Sequence, residues 1–301
     1  MNKITGLLLI MLFSLPFISD AQRWKRYRYE VVYGIGATNF LGDLGGADQI
    51  GTDYFKDLEM KLTRPAAQLA MRYKITELTS LKMGFSYGVV AGDDNTTAYD
   101  DRFNRQFHFK SPIVEFGATY EFMFLKERAG HRYSLRGVKG IKKLELYPYG
   151  FFGFSAFYFN PKAKDPDSGK WTGLRNLNTE GQGIVPTRKQ YGLFNVAMPM
   201  GMGFKYAVDR RWLIGIEYGI RKTFTDYIDD VSTTYMDPTI INNNYGPTAA
   251  YFADPTGGTW EGAYAGQQRG DPTDNDSYMF LIFSVNYKLR TGRNNLPKFN
   301  G

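Results

Sequence analysis

The feature that most constrains this chain is an alternation of apolar with small or polar residues, sustained over unusually long stretches. Within 190–208, Phe194, Val196, Met198, Met200, Met202, Phe204, Tyr206 and Val208 alternate with Asn195, Ala197, Pro199, Gly201, Gly203 and Lys205. In 212–223, Trp212, Ile214, Ile216, Tyr218 and Ile220 alternate with Gly215, Glu217, Gly219, Arg221 and Thr223. In 278–290, Met279, Leu281, Phe283, Val285, Tyr287 and Leu289 stand opposite Ser284, Asn286 and Lys288. Successive side chains of a strand point to opposite faces, so each ribbon has one greasy side that must meet something apolar.

The same reading holds earlier in the chain. Tyr29, Val31, Tyr33 and Ile35 oppose Glu30, Gly34 and Gly36. Leu69, Met71, Tyr73 and Ile75 oppose Gln68, Ala70, Arg72 and Lys74. Leu81, Met83, Phe85, Tyr87 and Val89 oppose Lys82, Gly84, Ser86 and Gly88, and Phe116, Tyr120, Phe122 and Phe124 oppose Glu115, Gly117, Thr119 and Glu121. Only 144–160 carries aromatics on both faces. With it, the chain has eight strands.

Strands of soluble proteins run about 5–6 residues, whereas these ribbons run 11–19, beyond the about 9–11 that a tilted membrane strand needs. Aromatics near the ends of the greasy faces, as at Trp212, Tyr206 and Tyr287, suit interfacial girdles. The opposite faces are rich in glycine and carry both signs of charge. Glu115, Glu121, Glu217, Lys74, Arg72 and Arg221 are expected to pair inside a filled barrel, because eight strands leave no open pore. A lipocalin-like barrel would need the inverse arrangement. The fold class is therefore all-β: an eight-stranded antiparallel transmembrane β-barrel with long external loops. A mean hydropathy of -0.38, with no long apolar run beyond the N-terminus, excludes a helical membrane protein. The absence of cysteine excludes disulfides, thiol catalysis and a lipidated N-terminal Cys.

Residues 1–21 read as a signal peptide. Lys3 supplies the positive region, 6–18 the apolar core, and Ser19 and Ala21 the small residues of a cleavage site before Gln22. Pro16 would interrupt a buried helix instead. Residues 22–301 then form the barrel domain, placed in the cell outer membrane with both termini periplasmic. Export argues against a nucleic-acid partner despite a net charge of +7; outer-membrane lipids, including lipopolysaccharide, are expected neighbours.

The connections set the orientation, since periplasmic turns are short and external loops long. Segments 75–80 and 207–211 are tight, and 41–62, 92–105, 161–189 and 225–276 are long. One periplasmic connection breaks the rule. The 126–143 insertion carries Lys126, Arg128, Arg132, Arg136, Lys139, Lys142 and Lys143 against Glu127 alone. The N-terminal arm (Arg23, Lys25, Arg26, Arg28) and the tail (Lys288, Arg290, Arg293, Lys298) emerge on the same side. Such a basic mouth attracts acidic protein or phosphate over about 8 Å at physiological salt. Arg132, Arg136, Lys139, Lys142 and Lys143 are the candidate partner-docking residues. The last external loop is acidic, with Asp226, Asp229, Asp230, Asp237, Asp254, Glu261, Asp271, Asp274 and Asp276 against Arg269.

Chemistry is thin. Only His108 and His131 could serve a nucleophile, and no Ser–His–carboxylate arrangement can be assembled around either. No enzymatic activity, no cofactor and no metal site is expected. The Asp271, Asp274, Asp276 run lacks the spacing of a calcium loop and reads as a solvated turn. Gly42, Gly45 and Gly46 around Asp43 read as a chain reversal at the external rim rather than a phosphate cradle.

Several stretches resemble a PorG-like family of outer-membrane barrels of Bacteroidota, associated with the type 9 secretion and gliding apparatus. They are Phe40-Leu-Gly-Asp43-Leu, Pro148-Tyr-Gly-Phe-Phe-Gly with Phe157-Tyr-Phe-Asn-Pro-Lys162, and Arg269-Gly-Asp-Pro with Asn275-Asp276-Ser-Tyr and Tyr287-Lys-Leu. The most specific is the loop string from Thr223 to Tyr235, which contains Asp226, Tyr227, Asp229, Asp230 and Ser232. The resemblance implies an integral outer-membrane structural component that anchors a periplasmic secretion ring, with a PorK-like lipoprotein as partner. The alternatives are a barrel that moves small solutes or ions, and an adhesin-like barrel that uses the 225–276 loop.

Overall fold

The computed structural model describes residues 24–44, 62–96, 100–127, 146–292 and 294–298. Eight long antiparallel strands close on themselves: β1 (Tyr29–Leu41), β2 (Arg64–Lys74), β3 (Thr79–Asp93), β4 (His108–Met123), β5 (Leu146–Phe159), β8 (Phe194–Ala207), β9 (Trp212–Thr223) and β10 (Ser277–Thr291). Each pairs with the next, and β1 pairs with β10 from Tyr29↔Leu289 to Leu41↔Ser277, which completes the cylinder. Closure removes every free edge, the condition for placing strands in lipid. Two short strands, β6 (Lys162–Lys164) and β7 (Trp171–Gly173), form a hairpin that extends the edge of β4. A final β11 (Pro297–Lys298) folds back onto β10. Among the described residues, three helices, α1 (Asp100–Arg105), α2 (Pro238–Tyr245) and α3 (Pro247–Ala253), belong to the long loops.

The long strands span 11 to 16 residues, slightly shorter than the alternation suggests. The 190–208 ribbon starts pairing only at Phe194, because the Tyr191 ring turns inward to stack on Phe159 and Tyr227.

The faces divide as the period-two pattern predicts. Ile35 is 73% exposed, Phe154 69% and Phe194 77%, while Arg72 is 1% exposed and Glu121 0%. A wall of exposed isoleucine, phenylalanine and methionine around a charged interior is the inverse of a soluble barrel, and it matches a bilayer. The ambiguous fifth ribbon resolves on the same terms: Tyr147, Tyr149, Phe151, Phe157 and Phe159 point inward, Phe152 and Phe154 outward. Room for the inward rings comes from glycine on the neighbouring strands. A Cβ at Gly203 would strike the Tyr149 ring, and one at Gly219 the Phe151 ring. At the rim shared by the two described chain ends, Trp212 packs on Tyr287 at 4.6 Å and Tyr29 on Tyr73 at 5.0 Å, an aromatic girdle.

The interior has two storeys, and here the structure departs from the sequence reading of one small, charged inner face. The half nearer the chain ends is ionic. The half nearer the long loops is a buried aromatic cluster that includes Phe40, Phe109, Ile113, Phe157, Phe159, Tyr278 and Phe280. These residues sit at the strand ends, where the loops cover them and the need for polar lining ends.

Candidate functional site

Three features built from these elements could carry function: the ionic staples inside the barrel, the rim at the chain ends, and the cap made by the long loops. Inside, Arg72 on β2 spans the lumen. Its Nε and Nη2 donate to Glu121 at 2.6 and 3.1 Å, and its Nη1 donates to Glu30 at 2.7 Å. Lys82 donates to Glu217 at 2.5 Å, and the Tyr149 hydroxyl donates to the same carboxylate at 2.8 Å. Lys205 lies 3.6 Å from Glu121 and 4.8 Å above the Tyr149 ring. Arg221 approaches Glu115 at 3.4 Å, and that carboxylate also accepts the Tyr278 hydroxyl at 2.7 Å. The expected inward charges therefore pair off. A void of about 20 Å³ remains between Gln68, Lys82, Glu115, Glu217 and Arg221, room for about one water.

At the chain-end rim, Glu127 bridges Lys74 and Lys288. This corrects two assignments. Lys288 is 4% exposed: it lies on the inner face, as the alternation of the last strand predicts, and belongs to the staples, not to a basic surface tail. Glu127 is not a stray acid in a basic insertion but the lowest rung of the ladder, required because two ammonium groups cannot be buried side by side uncompensated. The rim still presents Lys25, Arg26, Lys126, Arg210, Arg290 and Lys298 to solvent, with Lys126 held by Glu77 at 2.8 Å. The candidate docking residues Arg132, Arg136, Lys139, Lys142 and Lys143 lie outside the described residues, as do the signal-peptide positions 1–21.

The cap gathers the motif loop. Glu180 accepts the backbone N–H groups of Ser232 and Thr233 at 2.9 and 3.1 Å, and Arg269 Nη1 at 2.9 Å. Arg269 also donates to the Asp230 carbonyl at 2.5 Å and stacks over Phe107. Asp230 accepts the Tyr191 and Thr179 hydroxyls at 2.5 and 2.7 Å. Arg105 ties Asp94 to the Asp43 and Arg269 carbonyls. Asp229 holds the Leu44 and Val231 N–H groups, and Asp276 holds that of Ile228 at 2.8 Å. Asp226, Asp229, Asp230 and Ser232 are all buried, and Tyr227 is half-buried. These residues close the cap rather than display a surface.

The Asp271, Asp274, Asp276 run is a third correction. Asp274 is exposed and Asp271 half-buried, but Asp276 is 1% exposed, since it must satisfy the turn at Ile228. Gly42 and Asp43 bend the chain at this rim: Leu44 is buried in the cap, and Asp43 accepts the Asp271 N–H at 2.9 Å, while Gly45 and Gly46 lie outside the described residues. His108 accepts from the Lys164 backbone N–H at 3.0 Å, a structural contact. Among the described residues no cluster of three or more His, Cys, Asp or Glu has metal-binding geometry. Nothing in the sequence marks Glu180, Arg105 and Arg269 as a unit; Arg269 stands out as the single cation of an acidic loop and the head of the Arg269-Gly-Asp-Pro stretch.

Concentrating carboxylates under the cap shifts their ionisation. Burial, reinforced by Asp43 and Glu180, raises Asp226 to about 8. Burial raises Asp43 to about 6 and, against the pull of Arg269, Asp230 to about 6. Asp229 and Asp276 are pushed well upward, first by burial and then by neighbouring aspartates. Acids with raised folded-state values hold protons that the unfolded chain has released, so their contribution to cap stability is fullest below about pH 4 and falls as pH rises towards about 8. Protease cleavage within 225–276 is expected to accelerate about tenfold between pH 5 and pH 8.5, with the barrel strands intact. The Asp226→Asn variant should flatten the upper part of that profile.

The fold and its inverted faces define an integral transmembrane β-barrel of the outer-membrane type. The chain belongs to the family described as Domain of unknown function (DUF6089), whose profile matches residues 7–170. The match covers the first two motif stretches and ends before the 223–235 loop. Among solved structures, the chain is similar to Neisserial surface protein A, with 11% identity over 86% of this chain and 96% of that one, TM-score 0.38. It is also similar to the N-terminal β-barrel domain of Pseudomonas aeruginosa OprF (10% identity, 87% and 98% covered, TM-score 0.33). OprG from the same organism gives 9% identity, 87% and 96% coverage and a TM-score of 0.36. No curated protein sequence matches the chain.

Proposed function

We propose that the protein is a non-enzymatic outer-membrane anchor, exported by a cleaved signal peptide, with its chain ends in the periplasm. Its basic rim docks a periplasmic lipoprotein of a type 9 secretion ring, PorK-like in kind. The observation that carries this reading is the pairing of a filled, ion-stapled barrel with exposed cations at one rim: Lys25, Arg26, Arg210, Arg290 and Lys298. That is also the rim from which the basic 126–143 connection departs. A filled interior suits a rigid post and speaks against a solute conduit. The four motif stretches that resemble PorG-like barrels supply the kind of partner, and an acidic docking face on it would complement the rim.

Reversing Arg132, Arg136, Lys139, Lys142 and Lys143 to glutamate should cut recovery of the ring lipoprotein from detergent-solubilised envelopes at least tenfold. The barrel should remain folded and membrane-inserted. Unchanged recovery removes the docking assignment. Binding of the wild type should also weaken steeply with added salt.

A further inference from the structure

On the outer wall at the cap end, a groove of about 500 Å³ runs between β2, β3, β4 and the β6–β7 hairpin. Tyr87, Val89 and Pro112 line it, continuous with the lipid-facing wall of β3 and β4, and Trp171 stands at its side. Three cations, Arg64, Lys110 and Lys162, line the same groove. Lys110 and Lys162 are direct cross-strand partners in the β4–β6 ladder, a placement that costs stability for like charges. Arg64 adds a third positive charge acting on Lys110. The Lys110 ammonium lies 3.6 Å from the centroid of the Trp171 ring, which orients it without neutralising it. Neither Lys110 nor Lys162 makes an ion pair with a carboxylate among the described residues. The one acid among the described residues of the groove, Asp93, spends its Oδ1 on the Asn95 N–H and side-chain amide.

Like charges held opposite one another above an apolar, bilayer-facing floor call for an anion that also carries hydrocarbon. We infer that this groove binds the phosphorylated headgroup of an anionic lipid in the leaflet at the cap end, phosphate on Lys110 and Lys162, acyl chains against Tyr87, Val89 and Pro112. The inference rests on the proposed orientation, in which that leaflet is the outer one and its anionic lipid is the phosphorylated glycolipid lipopolysaccharide. It is independent of any docking at the opposite rim.

The test uses the full-length mature chain in neutral-detergent micelles, titrated with bisphosphorylated lipid A and read by native mass spectrometry. Wild type should retain the lipid. Lys110→Glu with Lys162→Glu should weaken retention at least tenfold, while Lys110→Arg with Lys162→Arg keeps it. Dephosphorylated lipid A should bind wild type no better than it binds the charge-reversed variant. Equal binding by wild type and the charge-reversed variant overturns the inference. So does displacement of the lipid by millimolar inorganic phosphate, which would mark a simple anion site. Orientation is checked separately. The chain has no cysteine, so Lys170→Cys on the exposed β6–β7 hairpin should react with an impermeant maleimide on whole cells. A lack of reaction there counts against the orientation, and the micelle result still decides the groove.

Discussion

Replacing Arg72 by leucine is expected to destabilise the barrel by about 3–5 kcal/mol, because it leaves buried carboxylates without their main partner. Arg72 is the hub of the ionic storey: it binds Glu121 through two nitrogens and Glu30 through a third, with all three side chains almost fully buried. Lys74 and Lys205 remain near Glu30, and Lys82 and Lys205 near Glu121, but none of them replaces the bidentate fork. The measurement is the urea midpoint of the protein folded in phospholipid vesicles, followed by tryptophan fluorescence. Adding Glu121→Gln to the leucine variant should recover part of the loss, with a coupling of about 1–3 kcal/mol. Additive losses would mean that the two side chains do not act as a pair. A mere loss of packing volume would not be rescued by the glutamine.

Replacing Arg269 by leucine should act on the cap and spare the strands. Arg269 joins Glu180 to the Asp230 carbonyl beneath the motif loop, and its removal strands a carboxylate that is 0% exposed. The cost, again about 3–5 kcal/mol, should appear as faster cleavage of 225–276 by protease added at the cap side. The strand core should keep its protection. Adding Glu180→Gln should restore part of the resistance, since it removes the unpaired charge. Conductance across planar bilayers should stay at background in the single variant, because the staples around Arg72 and Lys82 fill the lumen below the cap. A channel that opens on this substitution would show that the cap, not the staples, seals the barrel. Together the two variants separate the layers: one weakens the whole cylinder, the other only its lid.

Strand number, strand faces and the membrane-facing wall were legible in the sequence. Hydrocarbon tolerates neither unpaired backbone at a strand edge nor charge on the middle of the wall, so selection for a bilayer writes a local, period-two record such as that of Phe194 to Val208. The paired charges inside were legible as types on the inner face, but not as partners. Arg72 and Glu121 are 49 positions apart and Lys82 and Glu217 are 135 apart, and which of them share a level depends on the stagger with which the cylinder closes. The rim was misread at Lys288 and Glu127 for the same reason: charge composition shows how many cations a segment holds, not which ones a neighbouring strand buries. The cap was the least legible part. Glu180 and Arg269 lie 89 positions apart in loops with no periodicity, and the buried Asp276 sits in a run that looks solvent-exposed. The sequence alone determined a greasy-walled eight-stranded barrel, because alternation is a property of neighbours along a strand. Only the tertiary structure decided the staples, the two-storey interior and the cap, because those contacts join residues that closure alone brings together.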